Sequence, residues 1–549
     1  MRVTQNKTSK GTTFYIIRSV SGGSTEIVEK LGTEQQIMEQ HHCTDALAWA
    51  RQRAKELTEK EKESQSRVMV PLQPHALINK GEVFSFNVGY LFLQQIYYAL
   101  GLHKVCHEIS RRRSLSYDLN EVLSGLVYGR ILAPSSRLAA SRLARSFLEQ
   151  PSFRSEDVQR ALAVLAEESD LIQEQLYQSC SVLTRRIADT LYCDCVSFCY
   201  EMEEEMPAKG RQRRNSTHLT VPMELFTDRR GLPLSFHVPD GSSHEQMGLT
   251  PLEQRILADA GSYRIVVRTD SAASPLPHRE FRKPVICSSA QAVSLRSLPK
   301  QLQDRALSPQ GWKLPGQAGV FDISKLDETS ESYKFAYSKV FYKEYSPDGQ
   351  DREAGDASNP MICVTYSLRY RDYVRSLRNA QAEHSRELIG QDPVKAGRRN
   401  RQTARKEKRM DGFSAFFSDS GTTAEDILCI DRNRWEIDRF FRTMKAEFRS
   451  VPDGALRDDH IKAHLLVSFL ALTIDKILEE KLDGTFTSVQ IADCLRKMNV
   501  VRIGDVGYLP AYRRTDLTDA LHEAAGFRTD CEILRRRYMQ GVINRSRKY

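Results

Sequence analysis

Hydrophobic positions change period several times along the chain. Residues 12–33 alternate at two and close on a glycine, predicting short strands, and Glu34 to Gln65 predicts a charged helix with Ile37, Ala46, Ala48 and Ala54 on its drier side. From Val83 to Arg186 the spacing is helical almost throughout, enough for about five helices. The period then returns to two in "DTLYCDCVSFCYE", "THLTVPMELFTD" and "LPLSFHVPDG", three strands in meander order. A helical stretch, "HEQMGLTPLEQRILADAG", leads to "YRIVVRTDS", an apolar run that ends abruptly in acid and small residues as a buried parallel strand does. Residues 330–370 alternate again, a polar helix covers Asp372 to Ile389, and "DGFSAFFSDS" is a further strand. Thr423 and Asp426 have capping-box spacing at the start of a long helix running to Phe448, and "IKAHLLVSFLALTIDKILEEKL" is apolar on every side, as a buried helix is.

This order predicts an α/β protein of several units. They are a small β/α unit at 1–66, a helical region at 83–186, a layered domain split between 187–290 and 411–480, a β-rich insertion with a basic linker at 291–410, and a basic helical tail at 481–549. The 549 residues, 40% hydrophobic and 28% charged, exceed what one core organises and leave no room for a largely disordered chain. Eleven cysteines without paired spacing fit reduced thiols and a cytoplasmic setting, and no apolar stretch has the length of a membrane span.

The net charge of +9 is modest, but it is clustered. Lys395 to Arg409 carries eight basic residues and one acid, and further runs lie at Arg111 to Arg113, Lys209 to Arg214 and Arg535 to Lys548. Such runs suit a polyanionic partner. A solvated loop explains any single one as well.

Three acids stand out. Asp194 sits in an apolar strand between Tyr192 and Val196, where a carboxylate needs a partner or a cation. Asp270 follows "YRIVVRT", at the carboxyl end of a parallel strand, where open α/β sheets place their ligands. Asp438 shares a helix face with Arg434, Phe441 and Lys445, at steps of four, three and four. Carboxylates brought together raise one another's pKa unless a divalent cation neutralises them, and hard, oxygen-seeking Mg2+ is the ion they suit.

The stretch "RNRWEIDRFFRTMKAEF" followed by "IKAHLLVSFLAL" resembles the last catalytic helix of bacterial insertion-sequence transposases. These have a ribonuclease-H-like fold and an Asp, Asp, Glu triad, and the similar branch is marked by Tyr-x2-Arg-x3-Glu-x6-Lys. Arg434 and Lys445 match the signature's Arg and Lys, and Asp438 occupies the Glu position. "GLVYGRILAPSSRLAA", "LYCDCVSFCYE", "RGLPLSFHVPDGSSHE" and "VVRTDS" resemble further blocks of the family in the same order, so the likeness spans nearly the whole chain. It implies a DNA-binding role for the helical region at 83–186 and a ribonuclease-H-like catalytic domain interrupted by a β-rich insertion. Asp194, Asp270 and Asp438 would be catalytic and hold two Mg2+ ions, with Mn2+ able to substitute. Arg434, Arg442, Lys445, Arg398 and Arg399 would contact DNA. The implied function is a nuclease and strand-transfer enzyme of DNA transposition. It would act on double-stranded element ends and target DNA, as a homodimer in its synaptic complex.

Two positions depart from the signature: its Tyr is Asp431, and its Glu is Asp438, shorter by one methylene. A catalytically inactive DNA-binding descendant, or another nuclease of the same fold, therefore remains an alternative. Cys193, Cys195 and Cys199 lack zinc spacing and read as core thiols; His41, His42 and Cys43 read as a solvated face. His464 reads as a core histidine and Trp435 as a packing residue. No Walker loop, Gly-x-Gly-x-x-Gly or nucleophile elbow is present.

Overall fold

The structure is a computed structural model. It describes residues 2–548 apart from 9–10, 20–24, 42, 44, 66–69, 71–74, 76, 78–79, 134–143, 185–189, 204–215, 239–249, 261–263, 270–285, 327–334, 338, 351–358, 390–407, 433–436, 438–439 and 442–457. The chain divides into two compact units, Met1–Glu82 and Val83–Tyr549.

In the first unit β1 (Arg2–Thr8), β2 (Gly11–Ser19) and β3 (Thr25–Thr33) form an antiparallel sheet, followed by helices Glu34–His41 and Ala46–Gln65. Phe14, Ile37, Ala46 and Ala50 close a small core between them. Ala46, Ala50 and Ala54 recur at four-residue steps and are buried, whereas Ala48 is exposed. Two residues from Ala46 on a helix turns roughly 200°, which carries Ala48 out of the stripe that the sequence predicted for it.

The second unit begins with β4 (Ser85–Asn87) and the helices Tyr90–Ala99, Leu102–Arg113, Leu119–Leu132, Ser155–Glu167 and Ser169–Leu183. The long Asp458–Lys481 helix runs among them, and Leu465, Leu466, Phe469, Leu470 and Leu472 on it are all fully buried. A helix apolar on every side is stable only inside such a shell.

The large sheet contains β5 (Leu191–Glu203), β6 (Ser216–Thr227), β7 (Pro233–His237), β8 (Arg264–Thr269), β9 (Ile286–Val293), β10 (Trp312–Leu314), β11 (Gln317–Phe321), β12 (Val340–Tyr345), β13 (Met361–Ser367) and β14 (Phe413–Ser418). Their spatial order is β11-β10-β12-β13-β14-β9-β8-β5-β6-β7. β5, β8 and β9 pair in parallel, and every other pair is antiparallel. The chain is thus mixed α/β with one large mixed sheet. The predicted meander is present as β5, β6 and β7, with the helix Pro251–Ala260 leading into parallel β8. The strands between residues 312 and 367 continue this same sheet through β14. The polar helix begins at Leu368, directly on β13, four residues before the sequence predicted.

After residue 488 the chain returns to the beginning of the second unit. Helix Ser488–Lys497 leads to β15 (Asn499–Ile503), β16 (Gly507–Pro510) and β17 (Leu534–Arg535), and the small sheet they form has the order β17-β16-β15-β4. Asn87 fastens it: its Nδ2 donates to the carbonyls of Leu495 at 2.9 Å and Arg496 at 3.0 Å. Gly89 is required beside it, because a Cβ there would lie 2.0 Å from the Leu495 carbonyl oxygen.

Candidate functional site

Asp194 lies on β5 opposite Arg268 on parallel β8, and Asp194 Oδ1 accepts from Arg268 Nη1 at 2.6 Å. Both residues are buried, at 7% and 2% exposure. The sequence requires a partner for an acid among apolar neighbours, and in the fold a guanidinium on the adjacent strand supplies one. Removing two charges from water costs several kcal/mol, and a close charge-assisted hydrogen bond offsets that.

The face from which this pair projects is set by alternation. Tyr192 and Val266 stand two residues before Asp194 and Arg268, and they belong to an apolar cluster with Ala290, Phe416, Ala424, Ile427, Leu428 and Ile430. Residues 424–432 are helical, so this helix covers the sheet face that carries Asp194. The predicted capping box starts it. Asp426 Oδ2 accepts from Thr423 N at 2.9 Å, and Thr423 Oγ1 accepts from Asp426 N at 3.2 Å.

Asp426 is also the anchor of that helix on the sheet. It takes the Tyr192 hydroxyl at 3.1 Å and Arg264 Nη2 at 2.6 Å. Burial pushes the Asp426 carboxyl up, but Arg264 and Thr423 outweigh burial and hold it below its ordinary value. The next turn is tied as well, because Thr365 Oγ1 on β13 donates to Asp431 Oδ2 at 2.6 Å. β8 therefore carries two arginines of like orientation, Arg264 holding Asp426 and Arg268 holding Asp194, with Val266 packed between them.

Other predicted positions fall as follows. β8 ends at Thr269, and Asp270, the next residue in sequence, lies outside the described residues, as do Asp438, Arg434, Arg442, Lys445, Arg398, Arg399 and Trp435. Of the helix face containing Asp438, Phe441 is described, and it is fully buried. Cys193 is buried, which pushes its thiol well up, and Cys195 is half-buried. Among the described residues no group of three or more His, Cys, Asp or Glu side chains could hold a metal. His464 is 3% exposed in the buried helix, and His41 stacks on Trp49 at 4.0 Å. Arg112 and Arg113 are engaged within the fold by Glu168, which Arg113 Nη2 reaches at 2.6 Å. Arg268, Arg264 and Thr365 are the residues sequence reasoning missed. A cation inside the apolar run of β8 is the signal that could have exposed the first two.

No family model matches the chain, and no curated protein does. Among solved structures it is similar to a piggyBac transposase in a synaptic complex with hairpin DNA, at 8% identity and a TM-score of 0.22, covering 89% of this chain and 81% of that one. Likeness at that level is weak and does not assign a fold. Among the described residues, no helix is long and apolar enough to cross a membrane.

Proposed function

We propose that the chain is a DNA transposase with a ribonuclease-H-like catalytic domain, cutting element ends and joining them to target DNA. The observation that carries this reading is the placing of Asp194. It stands on β5 beside parallel β8, the strand that leads directly into Asp270, on a sheet face covered by the helix that leads toward Asp438. The order of the blocks supports it too: a strand with the first acid, a hairpin, a helix, then a parallel strand running up to the second acid.

On this reading Asp194, Asp270 and Asp438 hold two Mg2+ ions, with Mn2+ an acceptable substitute. The described part of the set is one carboxylate, a hard oxygen donor of the kind Mg2+ prefers. Bound divalent ions supply activation of the attacking oxygen and stabilisation of the leaving one. The chain's own part is to place the carboxylates, and Arg434, Arg442 and Lys445 would grip backbone phosphates. Double-stranded element ends and target DNA are the partners, engaged by a homodimer.

One observation favours a second reading, a DNA-binding descendant without cleavage. The carboxylate of Asp194 is already engaged by Arg268. The two readings separate in one assay. Asp194→Asn and Asp270→Asn should each abolish Mg2+-dependent strand cleavage of terminal-repeat DNA while DNA binding persists. Cleavage that survives both changes rejects the triad, and a wild-type chain that binds without cutting supports the descendant.

A further inference from the structure

The helix Arg536–Ser546 follows directly on β17 and has two unlike sides. Met539, Val542 and Ile543 are buried in the main core of the second unit, and Ser546 Oγ accepts from Gln94 Nε2 at 3.2 Å, so one side is fixed to the fold. The other side is exposed at Arg536, Arg537, Gln540, Asn544 and Arg545, and exposed Arg535, Arg547 and Lys548 flank it. From Ile533 to Tyr549 the chain carries six basic residues and no acid.

Some of these cations are engaged within the fold. Arg536 Nη2 lies 2.8 Å from Asp505 Oδ1, and Arg547 Nη2 lies 2.6 Å from Glu149 Oε1. The Arg545 guanidinium lies 5.7 Å from the centroid of the Tyr538 ring, a contact that leaves its charge in place. Arg535, Arg537 and Lys548 make no ion pair with any described residue. Gly541 is a second, independent observation. It stands one turn from Arg537 in the helix interior, where glycine is less stable than alanine. The fold does not require it, since a Cβ there would meet nothing within 4 Å beyond its own turn of helix. A helix that gives up stability for an open notch among cations suits a partner that approaches its backbone closely.

We propose that this helix face seats the phosphate backbone of duplex DNA. The proposal rests on the transposase reading for its partner and deepens it, by assigning a DNA contact far in sequence from the three acids. Arg537 and Arg545 stand roughly 12 Å apart along the axis. The major groove is about 12 Å wide, so cations toward the two ends of the helix reach phosphates on either side of it. Gln540 and Asn544 add neutral amides, which also contact phosphate and sugar. A single strand fits less well. Such sites stack bases on aromatic rings, and the Tyr538 ring lies against Arg545 with its hydroxyl donating to the Arg528 carbonyl at 3.0 Å. A lipid surface fits less well again, since Met539, Val542 and Ile543 are already buried.

The test is fluorescence anisotropy of the full chain on a mixed-sequence duplex, across a salt series in EDTA. Arg537→Gln with Lys548→Gln should flatten the slope of log affinity against log salt by up to about 1.8 units, two contacts at about 0.9 each. Gly541→Leu keeps every charge and favours the helix, and it should weaken binding severalfold by filling the notch. An unchanged slope in the double variant overturns the proposal. So does Gly541→Leu binding as the wild type does, because the attraction is then diffuse. A wild-type chain that binds no duplex overturns it, as does an equal loss of affinity for polyglutamate in the double variant, which would make the face a site for acidic polypeptide. Cleavage of terminal-repeat DNA in Mg2+ is read separately. A chain that cuts while both variants bind as the wild type does loses this surface alone, and one that binds through it without cutting keeps the surface and loses the transposase reading.

Discussion

Asp194 and Arg268 oppose each other on adjacent parallel strands, Oδ1 to Nη1 at 2.6 Å, each more than nine-tenths buried. Removing one member takes this buried counter-charge away from the other. Arg268→Met should therefore cost about 3–5 kcal/mol of unfolding free energy, measured by urea titration. The double change Asp194→Asn with Arg268→Met should recover most of that loss. A single change costing under about 1 kcal/mol would show that the pair contributes no more than an exposed one does.

The third acid yields a second prediction. A carboxylate shorter by a methylene reaches less far by roughly 1.5 Å, and Asp438→Glu restores the residue that the signature carries. If the transposase reading is right and reach limits the rate, Asp438→Glu should cut terminal-repeat DNA at least about tenfold faster, since a misplacement of about 1 Å can cost a hundredfold. An unchanged single-turnover rate would mean that the helix already sits closer to its partners.

Binding should report the basic run. Each phosphate contact contributes a slope near 0.9 to the dependence of log affinity on log salt. Replacing Arg398, Arg399, Arg401 and Arg405 together with Gln should flatten that slope by up to about 3.6 units in fluorescence anisotropy. An identical slope would make the run a solvated loop.

How much of this was legible in the sequence depends on distance along the chain. The meander of β5, β6 and β7, the capping box at Thr423 and the need of Asp194 for a partner are local, because alternation and cap spacing are written within a few residues. The identity of that partner is not local: Arg268 is 74 residues away, and only the parallel register brings it alongside. β9 escaped for another reason. Its "ICSSAQAV" is too polar to signal a central strand, although it lies between β8 and β14. The helix over the sheet was readable from its period, whereas its ties to Arg264 and Thr365 were not. Of the candidate site, only Asp194 falls within the described residues.

A fourth prediction concerns pH. His522 is fully buried, its Nε2 lies 3.0 Å from Thr529 Oγ1, and its Nδ1 lies 3.6 Å from Asp530. Burial lowers the imidazole below its ordinary 6.5, and the opposing pull of Asp530 does not cancel that. The unfolded chain therefore binds this proton more readily, so its contribution is present above 6.5 and is lost as pH falls below it. Urea midpoints should drop between about pH 7 and pH 5, where histidines titrate. His522→Gln should flatten that portion of the curve, and an unaltered slope would assign it to other groups.

The clasp between Asn87 and the Leu495–Asn499 stretch spans about 410 residues of chain. On a ribosome adding about 5–20 residues each second, the first strand of that sheet waits roughly 20–80 s for its mate. Throughout that interval the early helices stand without the Asp458–Lys481 helix that fills them, their oily surfaces open to the crowded cell. The helical core of this unit therefore closes late in synthesis, only after residues some four hundred positions downstream have emerged.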